Sequence, residues 1–330
     1  MIGSVEPVHS AQIQDLVIDP RDAGHSRSGW AQSWQPLGIV DLQAFPRDVQ
    51  IAVLPPFPLI GVGDPIHPLA PTLDALVEPP VSVDALIRQI GRSPHAAALT
   101  VQLLRGLEGL PNERALQFES FCYGLLQRSE EHERWLASRA RVEPSPPGRV
   151  RVDRLGAELH IALDRPLARN AIDRAMRDQL FEAFSLAALD PEVRAVKLRA
   201  VGPTFSMGGD LDEFGTTRDP GTAHLIRSRS LPALAIAPRA AILDVHVQGA
   251  CVGAGLEIAA FAARLTAASQ AWFQLPELSM GLIPGAGGCV SVPRRIGRQR
   301  AGLMILSGRR INAETALRWG LIDVIEDSQS

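Results

Sequence analysis

The spacing of apolar and polar positions divides the chain into two parts. Between Ser82 and Arg141 apolar residues recur at helical spacing, and Ser93-Pro94 and Ser129 are typical of helix starts. From residue 149 onward, short apolar runs suited to strands alternate with amphipathic helical segments. This alternation predicts an α/β fold for the second part and a mainly helical module in front of it.

The second part contains a predicted hairpin, three predicted helices and three further predicted strands. Their limits are 150–153 and 158–163 for the hairpin, 174–189, 255–263 and 294–306 for the helices, and 195–200, 240–247 and 266–273 for the strands. His246 lies on one of these strands and is interpreted as a hydrogen-bonded core histidine. The four arginines at 294, 295, 298 and 300 are interpreted as a solvated face or a subunit contact.

The first part of the chain shows no catalytic motif. Residues 1–35 lack periodicity and are predicted to form a loose arm. The predicted strands that follow cover 39–42, 50–54 and 59–62. One helix, opening at Pro111-Asn112, is predicted to bury a side formed by Leu116, Phe118, Phe121, Tyr123 and Leu125. The proline-rich segment 143–148 indicates a linker, so we predict an N-terminal extension over 1–148 and a second domain over 149–330.

Composition and charge exclude several classes of protein. The chain has 330 residues, 46% of them apolar, and a formal net charge of −3, which gives no reason to expect a nucleic acid partner. Cys122, Cys251 and Cys289 form no CxxC pattern, which indicates a reducing setting. The start of the chain resembles no secretion signal, and charges interrupt every long apolar run. We therefore expect a cytoplasmic protein that does not enter membranes.

The chemistry is concentrated between Val245 and Gly288. Glu257 lies inside an apolar, alanine-rich helical segment, and Glu277 follows 277 − 257 = 20 positions later, after another apolar run. A carboxylate in apolar surroundings is costly unless it is paired, protonated or functional, so the two form a candidate acid/base pair. The alternative is that Glu257 is a first-turn acid favoured by the helix dipole and Glu277 a solvated loop residue.

Five motifs in order give residues 149–330 a resemblance to the crotonase (enoyl-CoA hydratase/isomerase) superfamily. They are LDRPLARNAID at 163–173, FSMGGDLDEF at 205–214, QGACVGAGLE at 248–257, FQLPELSMGLIPGAGG at 273–288 and SGRRINAETALRWGLID at 307–323. The resemblance implies a crotonase-like ββα spiral domain behind the helical N-terminal module.

The resemblance also implies an enzyme that adds water across a 2-enoyl-CoA thioester. The backbone amides of Met207 and Ala254 would then stabilise the thioester enolate, Glu257 would activate water, and Glu277 would handle the proton at the α-carbon. No metal is expected, and no cofactor beyond the coenzyme A that forms part of the substrate. The residues that the resemblance assigns to acyl-CoA binding are Ala168, Arg169, Ala171, Gly208, Gly209, Asp210, Leu211, Gly253, Pro284 and Gly285. Arg165 and Arg169 could meet the coenzyme A phosphates, and Asp210 also suits a helix cap.

Members of this superfamily normally continue with further helices that build a trimer and close the acyl pocket. We therefore expect a homo-oligomer, a trimer or hexamer, and hypothesise that N-terminal helices fill the space of those C-terminal ones. Three other functions stay open: a Δ3-Δ2 enoyl isomerase needing one carboxylate, a cofactor-free acyl-CoA dioxygenase, and a non-catalytic CoA-thioester binding protein. The acyl group is not specified by the sequence.

Overall fold

The structure, a computed structural model, describes residues 16–18, 36–51, 53–140 and 145–326. The first part opens with a small parallel sheet followed by four helices. Its strands are β1 (Gly38–Asp41), β2 (Leu59–Val62) and β3 (Ala75–Leu76), and its helices are α1 (Val83–Arg92), α2 (Pro94–Gly106), α3 (Asn112–Leu126) and α4 (Glu130–Ser138). Val17 of the predicted loose arm pairs with Ile39, so this short piece of the arm belongs to the sheet.

The second part has nine strands and six helices among the described residues, apart from short 3-10 helices. The strands are β4 (Arg149–Leu155), β5 (Glu158–Asp164), β6 (Ala195–Ala200), β7 (Leu243–Val247), β8 (Ala250–Val252), β9 (Arg264–Ala267), β10 (Trp272–Gln274), β11 (Ile311–Asn312) and β12 (Val324–Ile325). The helices are α5 (Arg174–Leu189), α6 (Pro220–Ser230), α7 (Pro232–Ile236), α8 (Ala254–Ala259), α9 (Gly288–Ser307) and α10 (Ala313–Trp319).

Two sheets form the frame of this second part. The larger has the order β12-β9-β7-β6-β5-β4 and is parallel except for the β4–β5 hairpin. The smaller has the order β11-β10-β8, with β8 and β10 parallel. Alternate residues of β5 are buried, as expected for a strand with one face on the core. The mixed α/β architecture with a helical N-terminal module confirms the predicted fold class.

Several elements have the limits that the sequence predicts, and others do not. α5 and β6 match their predictions, and Asp173 caps α5 by accepting a hydrogen bond from the Met176 amide. The strand predicted over 266–273 is wrong, because a turn at 268–271 separates β9 from β10 and places them in different sheets. The described residues of 50–54 form no strand. The other limits shift to 243–247, 254–259 and 288–307.

The predicted apolar side of α3 is confirmed at Leu116 and wrong at three other positions. Phe118, Phe121 and Leu125 are exposed, whereas the buried side follows the helical repeat through Ala115, Leu116, Glu119, Ser120 and Leu126. Two polar residues therefore lie on the side of α3 that faces the rest of the protein.

The arginines of α9 are not a solvated face. Arg298 donates to the carbonyls of Leu73 and Pro71 and pairs with Asp74 and Glu108, all in the N-terminal module. In the same way, Arg300 pairs with Glu78, and Arg294 donates to the carbonyl of Leu110. Arg295 binds within the second part, to Asp323 and to the carbonyls of Leu321 and Ala262.

One apolar core joins the two parts. It runs without a break from Leu37 in the N-terminal module to Ile322 near the end of the described chain. The helices α1–α4 thus pack on the second part as an integral layer. In the part of the chain that the structure describes, no helix is both long enough and apolar enough to cross a membrane.

Candidate active site

Two glycine-containing loops meet beside β8. The segment Ser206–Gly209 forms one loop; its Ser206 pairs with Cys251 of β8, and its Gly209 with Ile172. The other is the tight connection between β8 and α8, which consists of Gly253 and in which Gly253 has a φ of 46°. A Cβ on Gly208 would lie 3.1 Å from the Val252 carbonyl oxygen, so the loops touch backbone to backbone.

The amide of Met207 is not free to bind a ligand. It donates to the Arg169 carbonyl at 3.1 Å, so the predicted role of Met207 as an oxyanion donor is contradicted. In the pairing of Gly209 with Ile172, the Ile172 amide donates to the Gly208 carbonyl, and the Asp210 amide donates to the Ile172 carbonyl. Since neighbouring amides of an extended segment point in opposite directions, the Gly209 amide points away from Ile172.

Gly209 and Ala254 both line one cavity. Ala254 is the first residue of α8, so its amide has no acceptor within the helix. Gly209, which the sequence assigned to substrate binding, therefore takes the place of Met207 beside Ala254 as a candidate oxyanion donor. The glycine motif in the sequence does not by itself tell which of these backbone amides is free to bind an oxyanion.

Glu257 is buried at the edge of the same cavity. Its Oε2 accepts hydrogen bonds from the amides of Ala286 at 2.6 Å and Gly288 at 2.8 Å. Burial raises the pKa of this carboxyl to about 7, and the two amide hydrogen bonds oppose that rise. Glu257 therefore titrates near neutrality, as a general base requires.

Glu277 lies at the start of a 3-10 turn, Glu277–Met280, and also lines the cavity. Burial, followed by the charge of Glu257, raises the pKa of Glu277 well above its ordinary range. Its Oε2 is buried and has no hydrogen-bond partner among the described residues. The interpretation of Glu277 as a solvated loop residue is therefore wrong.

A third carboxylate, Glu119 of α3, was missed by sequence reasoning. It is 1% exposed, and its two oxygens accept from the amides of Gly287 at 2.7 Å and Cys289 at 2.8 Å. Burial and the charge of Glu257 raise its pKa well above the ordinary range. No motif marks this residue, because a lone Glu in an amphipathic helix is usually solvated.

The N-terminal module also supports the turn that carries Glu277. His132 of α4 donates from Nδ1 to the Met280 carbonyl at 2.8 Å, and Gly281 lies so close to the start of α4 that a Cβ would be 2.6 Å from the His132 amide. Burial lowers the pKa of His132, which keeps the ring neutral. The N-terminal module, which shows no catalytic motif, therefore contributes to the site by supporting this turn.

The cavity has a volume of about 530 Å³ and is walled by both parts of the chain. The N-terminal module contributes Tyr123, Gln127 and His132. The sequence-predicted residues that line it are Gly209, Asp210, Ala254, Glu257, Glu277 and Gly285, whereas Ala168, Arg169, Ala171, Met207, Gly208, Leu211, Gly253 and Pro284 lie outside its wall.

Arg165 cannot bind a phosphate as the sequence suggested. It is 6% exposed, pairs with Asp210 at 2.6 Å, and donates to the carbonyls of Ser145, Pro146 and Ala171. Asp210 also caps the following 3-10 turn through the Asp212 amide, so its structural role holds. Arg169, in contrast, is exposed on the loop that precedes α5.

His246 was interpreted as a core histidine, and its Nδ1 lies 2.8 Å from the Thr266 hydroxyl. That contact agrees with a structural role, since His246 is not among the residues of the cavity wall.

The site thus combines backbone amides at the junction of two loops with two buried carboxylates on the wall of one cavity. Such an arrangement suits a substrate whose carbonyl oxygen gains negative charge while a proton moves at a neighbouring carbon. Enzymes that stabilise an enolate while they move a proton combine groups of these kinds.

Comparison with known proteins gives the same class. Residues 157–329, just over half of the chain, match the family described as enoyl-CoA hydratase/isomerase. The chain is 34% identical over 199 residues to probable enoyl-CoA hydratase 2, mitochondrial, of Arabidopsis thaliana, covering 56% of this chain and 62% of the relative. It is 35% identical over 185 residues to the cyclohexa-1,5-dienecarbonyl-CoA hydratase of Thauera aromatica, covering 56% of this chain and 70% of the relative.

A solved structure shares the fold of the second part. The enoyl-CoA hydratase/isomerase from Marinobacter aquaeolei superposes with a TM-score of 0.50 at 28% identity, over 54% of this chain and 70% of that one. The chain therefore belongs to the enoyl-CoA hydratase/isomerase family, as the motifs predicted. It spans less than two thirds of the length of the Arabidopsis relative.

Proposed function

We propose that the protein is an enoyl-CoA hydratase that adds water across the double bond of a 2-enoyl-CoA thioester. Glu257 takes a proton from a water molecule while the water oxygen attacks C3. The electron pair of the double bond moves toward the thioester carbonyl, and the amides of Gly209 and Ala254 bind the resulting enolate oxygen. Glu277 delivers a proton to C2, which yields the 3-hydroxyacyl-CoA. Coenzyme A enters as part of the substrate, and the proposal needs no other cofactor.

The protonation states of the two carboxyls support this division of roles. A base must be ionised and an acid must be protonated at the same pH, so the pKa values of the two groups must differ. The pKa of Glu257, about 7, leaves it partly ionised at neutral pH. The pKa of Glu277 is raised further by the charge of Glu257, which favours its protonated form.

The unpaired Glu277 Oε2 is the observation that carries the proposal. A buried carboxyl oxygen without a partner is costly, and native proteins keep such groups where they serve a function. This oxygen belongs to a residue of the cavity wall, where a substrate carbon or a water molecule would meet it.

Turnover of crotonyl-CoA in isotopically labelled water tests the proposal. A hydratase transfers the label to the C3 hydroxyl of the product, as mass spectrometry would show. Consumption of a 3-enoyl-CoA without label in the product would indicate the isomerase instead, and tight binding of both thioesters without turnover would indicate a binding protein. The prediction of a trimer or hexamer is a separate proposal, open to sedimentation analysis.

A further inference from the structure

The cavity contains an arginine with spare hydrogen-bond donors. Arg227 of α6 is half-buried in the wall and donates to Ser120 Oγ, the Ser120 carbonyl and Gln127 Oε1. A guanidinium has five N–H groups, so two have no partner in the described part of the chain. Within the described residues, no carboxylate lies within ion-pair distance of Arg227.

The position of Arg227 links it to the catalytic carboxylates. Its Cζ lies 4.7 Å from the centre of the Tyr123 ring, and that ring packs against Gly285, where a Cβ would come within 2.2 Å of it. The residue after Gly285, Ala286, donates its amide to Glu257. Arg227 is therefore separated from the proposed base by one aromatic side chain and one turn of backbone.

Tyr123 adds a second donor to this end of the cavity. The ring lines the cavity, and its hydroxyl has no hydrogen-bond partner in the described part of the chain. A phenol and a guanidinium with free N–H groups form a donor set that suits a carboxylate.

The other charged groups of the wall do not compete for this role. Asp210 is neutralised by Arg165, and Arg177 by its neighbour Asp178. Arg174 is exposed. Glu119 lies outside the wall and interacts with the charge of Arg227, but it already uses both its oxygens on the amides of Gly287 and Cys289.

The apolar part of the cavity wall indicates the chemistry of the rest of the ligand. Phe214, Ile226, Leu231, Pro232 and Ile258 line the same cavity and suit a hydrocarbon chain. A substrate anion close to Glu257 or Glu277 would be repelled, so an anion must sit at a distance along the chain from the thioester.

We propose that the acyl pocket takes a dicarboxylic acyl group, in which Arg227 binds the carboxylate at the end distant from the thioester. The substrate class is thus the 2-enedioyl-CoA thioesters. This inference rests on the proposed hydratase function for the reaction, but the recognition of the carboxylate is a property of binding alone.

Binding of saturated thioesters tests the proposal without turnover. Titration calorimetry would compare hexanoyl-CoA with hexanedioyl-CoA, and octanoyl-CoA with octanedioyl-CoA, for the wild type, Arg227→Met, Arg227→Lys and Arg229→Met. Arg229 is exposed on the same helix and is not part of the cavity wall, so it is the matched control.

We expect the wild type to bind at least one dioyl thioester at least about tenfold more tightly than its monoacyl partner. Arg227→Met abolishes that preference, Arg227→Lys keeps part of it, and Arg229→Met keeps all of it. Equal binding of each pair by the wild type would overturn the inference, and so would a preference that survives Arg227→Met. If the preference is present but no enoyl thioester is hydrated, the proposed function fails while the inference on the pocket stands.

Discussion

Glu119 and Glu257 accept hydrogen bonds from alternate amides of a single turn. Glu257 binds the amides of Ala286 and Gly288, and Glu119 binds those of Gly287 and Cys289. The turn leads into α9, whose N-terminal dipole favours negative charge. One carboxylate comes from the catalytic part and the other from the N-terminal module, so the module fixes the geometry of the turn that holds the proposed base.

Replacing Glu119 with Ala should destabilise the protein. The Gly287 and Cys289 amides would lose their acceptors while remaining buried, which costs on the order of 2 kcal/mol of unfolding free energy. Denaturant unfolding measures this loss. The matched control is Glu113→Ala on the exposed side of the same helix, with an expected change below about 0.5 kcal/mol. Equal stability of the two variants would contradict the structural role of Glu119.

The titration of Glu257 should make stability depend on pH. Its folded pKa, about 7, lies above its ordinary value of 4.5, so the folded state holds this proton more tightly than the unfolded state. The stability it contributes is fully present below pH 4.5 and is lost as the pH rises through about 7. The wild type should therefore lose about 2–3 kcal/mol more between pH 5 and pH 8 than Glu257→Gln does. Parallel pH profiles of unfolding free energy for the two proteins would show that Glu257 has an ordinary pKa.

Gly253→Ala should impair Glu277. A Cβ at this position would lie 2.6 Å from Glu277 Oε1, and the φ of 46° adds backbone strain. Gly156→Ala is the control, because Gly156 also has a positive φ, 61°, but no atom lies within 4 Å of its added Cβ. Gly156→Ala should lose about 1 kcal/mol of stability and Gly253→Ala more, because only the latter adds a clash, and only Gly253→Ala should lose enoyl-CoA turnover, by at least about tenfold. Similar turnover by the two variants would contradict the placement of Glu277.

Deleting residues 1–145 should leave an insoluble or monomeric protein. The deletion removes Glu119, His132 and the apolar helices that share one core with α9. Expression, sedimentation and turnover of the fragment test this expectation. A well-folded and fully active fragment would contradict the role of the N-terminal module in supporting the site.

The sequence predicted best where local chemistry decides the structure. Alternating apolar residues mark β5 and β6, and the cap Asp173 marks the start of α5. The motifs identified the family and both carboxylates, because a Glu within an apolar run is costly unless it is paired, protonated or functional.

What the sequence did not reveal depends on contacts between distant segments. Glu119 meets its partners across 168 and 170 positions, and nothing near it in the chain distinguishes it from a solvated acid. The choice between Met207 and Gly209 depends on which amide the Arg169 carbonyl captures. The turn at 268–271 could not be predicted from the sequence, because alanines on both sides of it continue the apolar run that reads as one strand.

The initial rate of crotonyl-CoA hydration by the wild type, Glu257→Gln and Glu277→Gln tests the central claim most directly. The wild type should consume the enoyl thioester, and each substitution should lower kcat by at least about 100-fold, because each removes one member of the acid/base pair. Circular dichroism and thioester binding confirm that the variants remain folded. Hydration at the wild-type rate in either variant would contradict the proposal that these two carboxylates carry out the reaction.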